Sequence, residues 1–270
     1  MSFNAQGLSV AEQLLLSTFR LHVAGENEEW TATGFVYRVD YPSGQQSDLL
    51  VTCAHVLEGA QEITIQYREN VGEDSFRIPK IVSLTFPLIS SVVIYHPAVD
   101  LAAIFLQPLF AEYNLPGRLW PAMLCLGKSH LADFERIDVA QEILMVGCPL
   151  DIYDRKNNLP IFRRGITSSH PSFDYEGKPH FIVDVAANSG SSGSPILSFA
   201  LTEFNREESR YDLFTVPQIH FLGILMSGLD EIAENDEEGR HGHLGVAIRA
   251  DQLLWFDKRA HEITGIKYSD

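Results

Sequence analysis

The segment from Asn188 to Leu197 reads N-S-G-S-S-G-S-P-I-L and is the most informative part of the chain. Its glycine and serine content alone is typical of a flexible linker. However, it lies between two strand-like apolar runs, 181–185 and 195–199, and a linker seldom separates two core strands. A tight turn is the better interpretation, because glycine permits a positive φ and a close approach of the backbone. Such a turn points several backbone N–H groups inward, where they can stabilise an oxyanion.

Two further segments carry side chains that complement a serine in such a turn. The stretch 49–57, L-L-V-T-C-A-H-V-L, ends an apolar strand near His55, and the stretch 96–104, H-P-A-V-D-L-A-A-I, places Asp100 before another. Taken alone, a packed structural histidine and a strand-entry aspartate are the more common interpretations. Together with Ser192 they supply a nucleophile, an imidazole that removes its proton and a carboxylate that orients the imidazole. This set predicts nucleophilic acyl transfer.

Short apolar runs separated by turn residues follow one another along most of the chain. In the run 62–67, E-I-T-I-Q-Y, every second residue is apolar, which is the period of a half-buried strand. Short strands at this density, with few helical patterns, predict an all-β barrel or sandwich. The predicted strands are 17–23, 32–39, 49–53, 62–67, 92–95, 101–106, 142–146, 181–185, 195–199, 221–226 and 244–248.

Two segments have helical patterns. Ser9 and Glu12 fit a capping box, S-x-x-E, at the start of the segment 9–16. The second segment, 249–261, has Asp251 near its start and several apolar residues that would form one side of a helix. The sequence predicts a helix in each segment, the second one docked on the β-structure.

The chain resembles the chymotrypsin-like (trypsin-like) serine peptidases, and among them the bacterial HtrA-like (Deg) branch. Five motifs carry the resemblance, in the family's order and at its approximate spacing, between residues 32 and 250. They are Thr52-Cys53-Ala54-His55 (family T-A-A-H), Asp100-Leu101-Ala102 (D-I/L-A), Gly190-Ser191-Ser192-Gly193-Ser194-Pro195 (G-D/N-S-G-G-P), Val146-Gly147-Cys148-Pro149-Leu150 (G-N/Y-P) and Arg164-Gly165-Ile166-Thr167-Ser168 (S-G-I-V-S).

The resemblance implies an all-β fold of two packed six-stranded β-barrels with a catalytic triad in the cleft between them, followed by a C-terminal helix. On this expectation residues 1–270 form a single peptidase domain. Its barrels span about 17–110 and about 135–250, and its helix spans about 250–262. HtrA-type proteins often carry a PDZ domain after the protease, and the residues 251–270 are too few to form one.

The resemblance also assigns roles by position. Ser192 corresponds to the nucleophile, His55 to the general base and acid, and Asp100 to the carboxylate that orients the imidazole. The backbone N–H groups of Gly190 and Ser192 correspond to the oxyanion hole. These roles imply a serine endopeptidase that acts on protein or peptide substrates through an acyl-enzyme, without cofactor or metal.

Two positions of the serine turn depart from the family pattern. Ser191 stands where the family has Asp or Asn, so it cannot pair with a new N-terminus as the Asp of digestive members does after zymogen cleavage. Ser194 stands where the family has a second glycine, and we expect it to restrict the turn more than glycine would.

The resemblance further locates a specificity pocket. The residue six before the nucleophile, at the base of the family's S1 pocket, is Ala186. The wall strand corresponds to Met226, Ser227 and Gly228, and a later wall residue to Gly245. Because the base carries no charge and the glycines leave the pocket open, we expect an apolar P1 residue rather than Lys or Arg.

The composition excludes several other functions. Hydrophobic residues make up 45% and charged residues 21%, which is typical of a folded protein rather than a disordered one. With 20 basic and 36 acidic residues the formal charge is −16, and such a chain repels phosphate. Neither nucleic acid nor an anionic membrane is therefore expected as a partner. A metal is not expected either, because the pair His241 and His243 has no third ligand set by spacing.

The compartment and regulation are predicted from weaker signals. Cys53, Cys125 and Cys148 form neither a CxxC pair nor a disulfide framework, and the first ten residues do not read as a secretory signal. These features predict a cytoplasmic protein. A protease that was always active there would damage its host, so a regulatory protein partner or conformational trigger is expected. The acidic stretch 230–238 reads either as a solvated loop or as an acidic rim beside the cleft. The sequence does not predict the oligomeric state.

Two alternatives belong to other classes. A protease-fold module that binds a peptide without cutting it is one, although the complete set of His55, Asp100 and Ser192 favours an enzyme. An esterase of the α/β-hydrolase fold is the other. That fold places serine first, then the acid, then histidine, within alternating strands and helices, and neither its order nor its pattern matches this chain.

Overall fold

A computed structural model gives the structure of residues 8–69, 80–88, 93–112, 125–205, 208, 210–228 and 244–266. Within these ranges the fold is built mainly from β-strands, as the alternating apolar runs predict. The strands fall into an N-terminal sheet and a C-terminal barrel, and the candidate catalytic residues are divided between them.

The N-terminal strands form one sheet that is antiparallel except for its last, short strand. The strands are β1 (Thr18–Ala24), β2 (Glu29–Asp40), β3 (Gln46–Thr52), β4 (Glu62–Glu69), β5 (Lys80–Pro87), β6 (Val93–Tyr95), β7 (Ala102–Phe105) and β8 (Leu126–Gly127). Their order is β5-β4-β1-β2-β3-β7-β6, and β8 joins the side of β2 in parallel. The described part of this half therefore has eight strands where the resemblance implied six, because β5 and the short β8 were not expected.

The C-terminal strands close into a six-stranded barrel, as predicted. They are β9 (Glu142–Gly147), β10 (Ile161–Thr167), β11 (His180–Asp184), β12 (Pro195–Asn205), β13 (Arg210–Gly228) and β14 (Leu244–Arg249). Their order around the barrel is β10-β11-β14-β13-β12-β9. Closure pairs every strand of this half on both sides, so its inward side chains fill a common core.

Three helices flank the strands in the described ranges: α1 (Val10–Ser17), α2 (Leu106–Glu112) and α3 (Leu254–Thr264). The predicted capping box is confirmed, since the Glu12 N–H donates to Ser9 Oγ (3.3 Å) and the Ser9 N–H to Glu12 Oε2 (2.6 Å). The predicted C-terminal helix is confirmed, although its first turn is a 3₁₀ turn rather than an α-helical one. A 3₁₀ turn, Ala250–Leu253, precedes α3, and Asp251 lies in this turn without capping the helix.

The two halves pack directly on each other through apolar side chains. One continuous core contains residues of the N-terminal sheet together with Phe221 and Ile224 of β13 and Phe256 of α3. Phe35 of β2 meets Phe221 edge to face, with ring centroids 5.4 Å apart. This packing fixes the cleft between the halves, where the candidate site lies. In the described ranges no helix has the length and apolar character needed to cross a bilayer.

Candidate active site

His55 follows the end of β3. The strand stops at Thr52, and one turn of 3₁₀ helix, Ala54–Leu57, carries His55 out of the apolar strand towards the cleft. The Val56 and Leu57 side chains of this turn are buried and anchor it, whereas 43% of the His55 side chain is exposed. A histidine that a buried turn holds near solvent can exchange a proton with a ligand.

Asp100 lies in a turn that precedes β7, and His96 holds this turn together. The Nδ1 atom of His96 accepts hydrogen bonds from the backbone N–H groups of Ala98 (3.2 Å) and Val99 (3.1 Å). The His96 N–H donates to the carbonyl of Leu101 (2.9 Å). Partial burial lowers the pKa of His96, which favours the neutral imidazole that can accept these bonds.

The Asp100 carboxylate binds His55 with both of its oxygens. Oδ2 lies 2.6 Å from His55 Nδ1, and Oδ1 accepts the backbone N–H of His55 at 2.8 Å. This two-point contact fixes the ring orientation and places the proton of a neutral His55 on Nδ1. The lone pair on Nε2 then faces away from the carboxylate, which is the orientation that a general base requires.

The serine turn requires glycine on both sides of Ser192. Gly190 and Gly193 have φ values of 86° and 88°, in the left-handed region that other residues avoid. A Cβ on Gly193 would lie 2.0 Å from the Thr33 carbonyl oxygen, and one on Gly190 would lie 2.7 Å from that of Cys148. The sequence-based expectation of a tight turn rather than a linker is confirmed.

Thr33 of β2 clamps this turn from the opposite half. Its N–H donates to the Ser192 carbonyl (2.9 Å), and its Oγ1 donates to the Gly190 carbonyl (2.8 Å). The same Oγ1 accepts the N–H of Cys148 (3.1 Å), and Thr33 is fully buried. The backbone around Ser192 is therefore held by a side chain 159 positions earlier in the chain.

The two N–H groups predicted to form the oxyanion hole have no acceptor within the described residues. In the described part of the chain, neither the Gly190 N–H nor the Ser192 N–H donates a hydrogen bond. The adjacent carbonyl of Ser189 is turned away, because it accepts the N–H of Leu150 (2.7 Å). Leu150 belongs to the motif 146–150. This motif therefore orients the peptide group between Ser189 and Gly190.

The carbonyl of Leu225 joins the serine and histidine segments. It accepts the N–H of Gly193 at 2.9 Å and the thiol of Cys53 at 3.3 Å. Ser192 is thereby held next to the segment that carries His55. Among the residues whose placement is described, Ser192 Oγ makes no hydrogen bond.

Cys53, His55 and Asp100 also form a candidate metal cluster, with ligand atoms within 4.8 Å of one another. The chemistry of this set does not favour an ion. Burial raises the pKa of the Cys53 thiol well above its usual value, so the thiol stays protonated, whereas a ligand must be the thiolate. His55 Nδ1 is already bound to Asp100. The set is better described as a histidine–carboxylate pair with a neutral thiol beneath it.

The predicted specificity residues are placed in two groups. Gly228 and Gly245 pair across β13 and β14, and both face Ala187, whose Cβ lies 3.0 Å from a Cβ built on Gly245. Met226 lies at a register shift between these strands, beside Ser227. Such a bulge changes the direction of the side chains around it.

Ala186 lies in the second group. It lines a cavity of about 590 Å³ that Leu150, Phe162 and Arg163 also line. The structure thus places Ala186 on the β10 side of the serine turn, whereas Gly228 and Gly245 lie next to Ala187. Sequence reasoning did not single out Ala187, although it adjoins the residue counted back from Ser192.

The two departures from the family motif fit into the turn, although the buried Ser194 Oγ has no hydrogen-bond partner in the described part of the chain. Ser194 keeps a φ outside the left-handed region, and its Oγ packs where a Cβ on Gly147 would lie, 2.1 Å away from that position. The Ser194 side chain therefore requires a glycine at position 147, instead of restricting the turn itself. Ser191 is buried, and its Oγ accepts the N–H of Asn188 at 3.4 Å.

Sequence reasoning missed Thr33 and His96 altogether. Thr33 was read only as part of the strand 32–39, and its polar side chain within an apolar strand was the available signal. His96 stood in the quoted segment H-P-A-V-D, four residues before Asp100. The acidic stretch 230–238, together with His241 and His243, lies outside the described residues.

Comparisons with known proteins bear on this site. A family model for the trypsin-like peptidase domain matches residues 32–201, more than half of the chain. No curated protein matches the chain. A variant of the HtrA-type protease AlgW with a tripeptide has a TM-score of 0.54 and 15% identity, covering 96% of this chain and 65% of that one.

Two further solved structures are similar. The AlgW variant with a decapeptide has a TM-score of 0.51 and 14% identity, over 96% of this chain and 68% of that chain. The serine endoprotease from Yersinia pestis has a TM-score of 0.50 and 12% identity, over 93% and 67%. The chain thus spans about two thirds of the length of these proteases, and at these identities the likeness is one of fold. The chymotrypsin-like, HtrA-type architecture is confirmed, and the chain belongs to the trypsin-like peptidase family.

Proposed function

We propose that the chain is a serine endopeptidase that hydrolyses peptide bonds through an acyl-enzyme. The observation that carries the proposal is the two-point contact of Asp100 with His55, beside a glycine-framed Ser192. Family membership makes a peptidase the expected chemistry, and the Leu225 carbonyl holds the serine turn beside the segment that carries His55. In this proposal no cofactor or metal takes part.

The reaction follows from the positions of these groups. Ser192 Oγ attacks the scissile carbonyl while His55 Nε2 removes its proton, and Asp100 stabilises the resulting imidazolium. The negative charge on the carbonyl oxygen is bound by the N–H groups of Gly190 and Ser192. His55 then protonates the leaving amine, and the same groups activate the water that releases the acyl chain.

Peptides are the proposed substrates, with an apolar P1 residue. The bound tripeptide and decapeptide of the AlgW structures support a peptide ligand for this fold. Ala186 and Ala187 offer no charge to a P1 side chain, and Gly228 and Gly245 border Ala187. These features favour apolar residues such as Leu, Met or Phe over Lys or Arg.

A latent form of the same protease is the second candidate. It is favoured by Ser192 Oγ, which makes no hydrogen bond in the described part of the chain. In this form a partner protein or peptide closes the contact between Ser192 and His55. The free, buried Cys53, Cys125 and Cys148 support the proposed cytoplasmic location, where thiols remain reduced.

Labelling with a fluorophosphonate probe tests the proposal and separates the two forms. We expect the folded wild-type protein to be labelled on Ser192, as located by mass spectrometry. Ser192→Ala and heat-denatured protein should remain unlabelled, and Asp100→Asn should label far more slowly. Labelling only after addition of peptide would identify the latent form. Absence of labelling under both conditions would overturn the endopeptidase.

A further inference from the structure

A second cleft, here called the carboxylate cleft, shares no residue with the candidate active site. It lies between the end of β2, the turn 128–130 and α3, and has a volume of about 430 Å³. Its floor is buried and consists of Tyr41, Asp257 and His261. Its rim is exposed and includes Asp40 and Lys128. The cleft is therefore open to solvent over a floor of buried polar groups.

Asp257 is the unusual member of this floor. Only 4% of the residue is exposed, and its Oδ2 accepts the Tyr37 hydroxyl at 3.2 Å. Its other oxygen, Oδ1, is buried and has no hydrogen-bond partner in the described part of the chain. A buried carboxylate oxygen without a donor destabilises the folded state, so an unpaired one calls for an explanation.

Burial has a second consequence for this carboxyl group. It raises the pKa of Asp257 to about 6, against the opposing hydrogen bond from Tyr37 and the nearby charge of Lys128. At neutral pH the group is still largely ionised, and its negative charge lies beneath the cleft. A cation that entered the cleft would lie near this charge, because Asp257 lines the cleft.

The charges around Asp257 favour a cation over an anion. Asp40 and Asp257 supply two carboxylates, and Lys128 supplies one ammonium group. The Nδ1 of His261 donates to the carbonyl of Ile266 at 3.1 Å, which holds this ring at the floor. The ring of Tyr41 adds an apolar wall that meets His261 edge to face, at 4.5 Å.

A metal ion does not fit the same residues. Among the described residues, the one group of three or more ligand atoms close enough to share an ion is that of Cys53, His55 and Asp100. Asp40, Asp257 and His261 of the carboxylate cleft do not form such a group. A larger cation with several N–H donors does not need three ligands around one point, because its donors point in different directions.

We propose that the carboxylate cleft binds an organic cation, a guanidinium or primary ammonium group, whose N–H donors pair with the carboxylates of Asp257 and Asp40. The site lies outside the proposed peptidase chemistry and does not depend on it. Tyr41 would cover one face of the bound cation. The helix α3 carries Asp257 and also Trp255 and Phe256, which pack against His96. A bound cation would therefore contact the helix that supports the Asp100 turn.

Calorimetric titration of the full chain with a pair of matched probes tests this proposal. N-acetyl-arginine amide carries the guanidinium group, and N-acetyl-citrulline amide replaces it with a neutral urea of similar shape. At equal ionic strength we expect saturable one-site binding of the arginine probe, below about 10 mM, and none of the citrulline probe. Equal binding of both probes, or no saturable binding of either, would overturn the proposal.

Variants locate the binding and exclude the candidate active site. Asp257→Asn should weaken binding of the arginine probe about tenfold or more, since it removes the charge but keeps the shape. Glu262→Gln, an exposed acid on the same helix that pairs with Arg259, should leave binding unchanged. If circular dichroism shows that Asp257→Asn does not fold, Asp40→Asn on the exposed rim is measured instead. We expect this variant to bind the arginine probe about threefold more weakly, or weaker still. Wild-type affinity in the deciding variant would refute the assignment.

Discussion

At the scale of single residues, Thr33 does more for the candidate site than its place in a strand suggests. It binds the carbonyls of Gly190 and Ser192 and accepts the N–H of Cys148. These bonds fix the peptide groups that join Gly190 to Ser191 and Ser192 to Gly193, on either side of the N–H group of Ser192. In the proposed mechanism, the geometry of the oxyanion hole therefore depends on a hydroxyl from the opposite half of the molecule.

Replacing this hydroxyl should reduce the reactivity of Ser192. We expect Thr33→Val, which keeps the shape and removes the hydrogen bonds of Oγ1, to slow fluorophosphonate labelling about tenfold or more. Thr33→Ser retains the hydroxyl and should label at a rate near that of the wild type. The rates are read from timed gel fluorescence. Equal rates for Thr33→Val and the wild type would show that the clamp is unimportant.

Gly193 offers a test of the packing at the turn. A methyl group there would lie 2.0 Å from the Thr33 carbonyl oxygen, in addition to the strain of a φ of 88°. We expect Gly193→Ala to lower the free energy of unfolding by about 3 kcal/mol or more, as measured by urea titration. Gly44→Ala is the matched control, since its φ is 80° but no atom lies within 4 Å, and it should lose only about 1 kcal/mol. Similar losses in both variants would contradict the account of close approach.

At the scale of structural elements, α3 supports the turn that carries Asp100. The His96 ring packs edge to face on Trp255 and Phe256, with centroids 5.0 Å and 5.9 Å away. The opposite edge of the ring accepts the N–H groups of Ala98 and Val99. The helix thus acts on the candidate site through one imidazole ring.

This arrangement predicts a pH dependence of stability. The pKa of His96 is lowered in the folded state, so the native protein binds fewer protons at this site than the unfolded chain does. The stabilisation is fully present above the unfolded pKa of about 6.5 and is lost as pH falls through the folded value. We expect the free energy of unfolding of wild type, relative to His96→Asn, to decrease from pH 7 to pH 5. A pH-independent difference would show that the acceptor role of His96 is wrong.

The elements also show where the sequence was informative. The alternating run 62–67 became β4 and the capping box at Ser9 began α1, because both signals are local. Strand β5 was missed although Val82, Leu84 and Phe86 occupy every second position, so its alternation was a local signal that went unused. The contact of Thr33 with Gly190 joins residues 157 positions apart, and no local pattern encodes it.

At the scale of the whole molecule, the candidate site is divided between the two halves. His55 and Asp100 belong to the N-terminal sheet, and Ser192 belongs to the C-terminal barrel. The order of the three residues and their flanking motifs were readable from the sequence. Their approach depends on the shared core and on contacts such as the ion pair of Arg20 with Asp151, which only the folded chain shows. Reactivity at Ser192 is therefore a property of the packed halves together.

Cleavage of a diverse peptide library by the wild-type protein and by Ser192→Ala, read by mass spectrometry, shows whether Ser192 hydrolyses peptide bonds. We expect cuts by the wild type that disappear in Ser192→Ala, with apolar residues at the position before the cut. If the protein is latent, the same cuts should appear only after a peptide that closes the contact between Ser192 and His55 has been added. Identical cuts by both proteins, or none by the wild type with and without that peptide, would contradict a serine endopeptidase built on His55, Asp100 and Ser192.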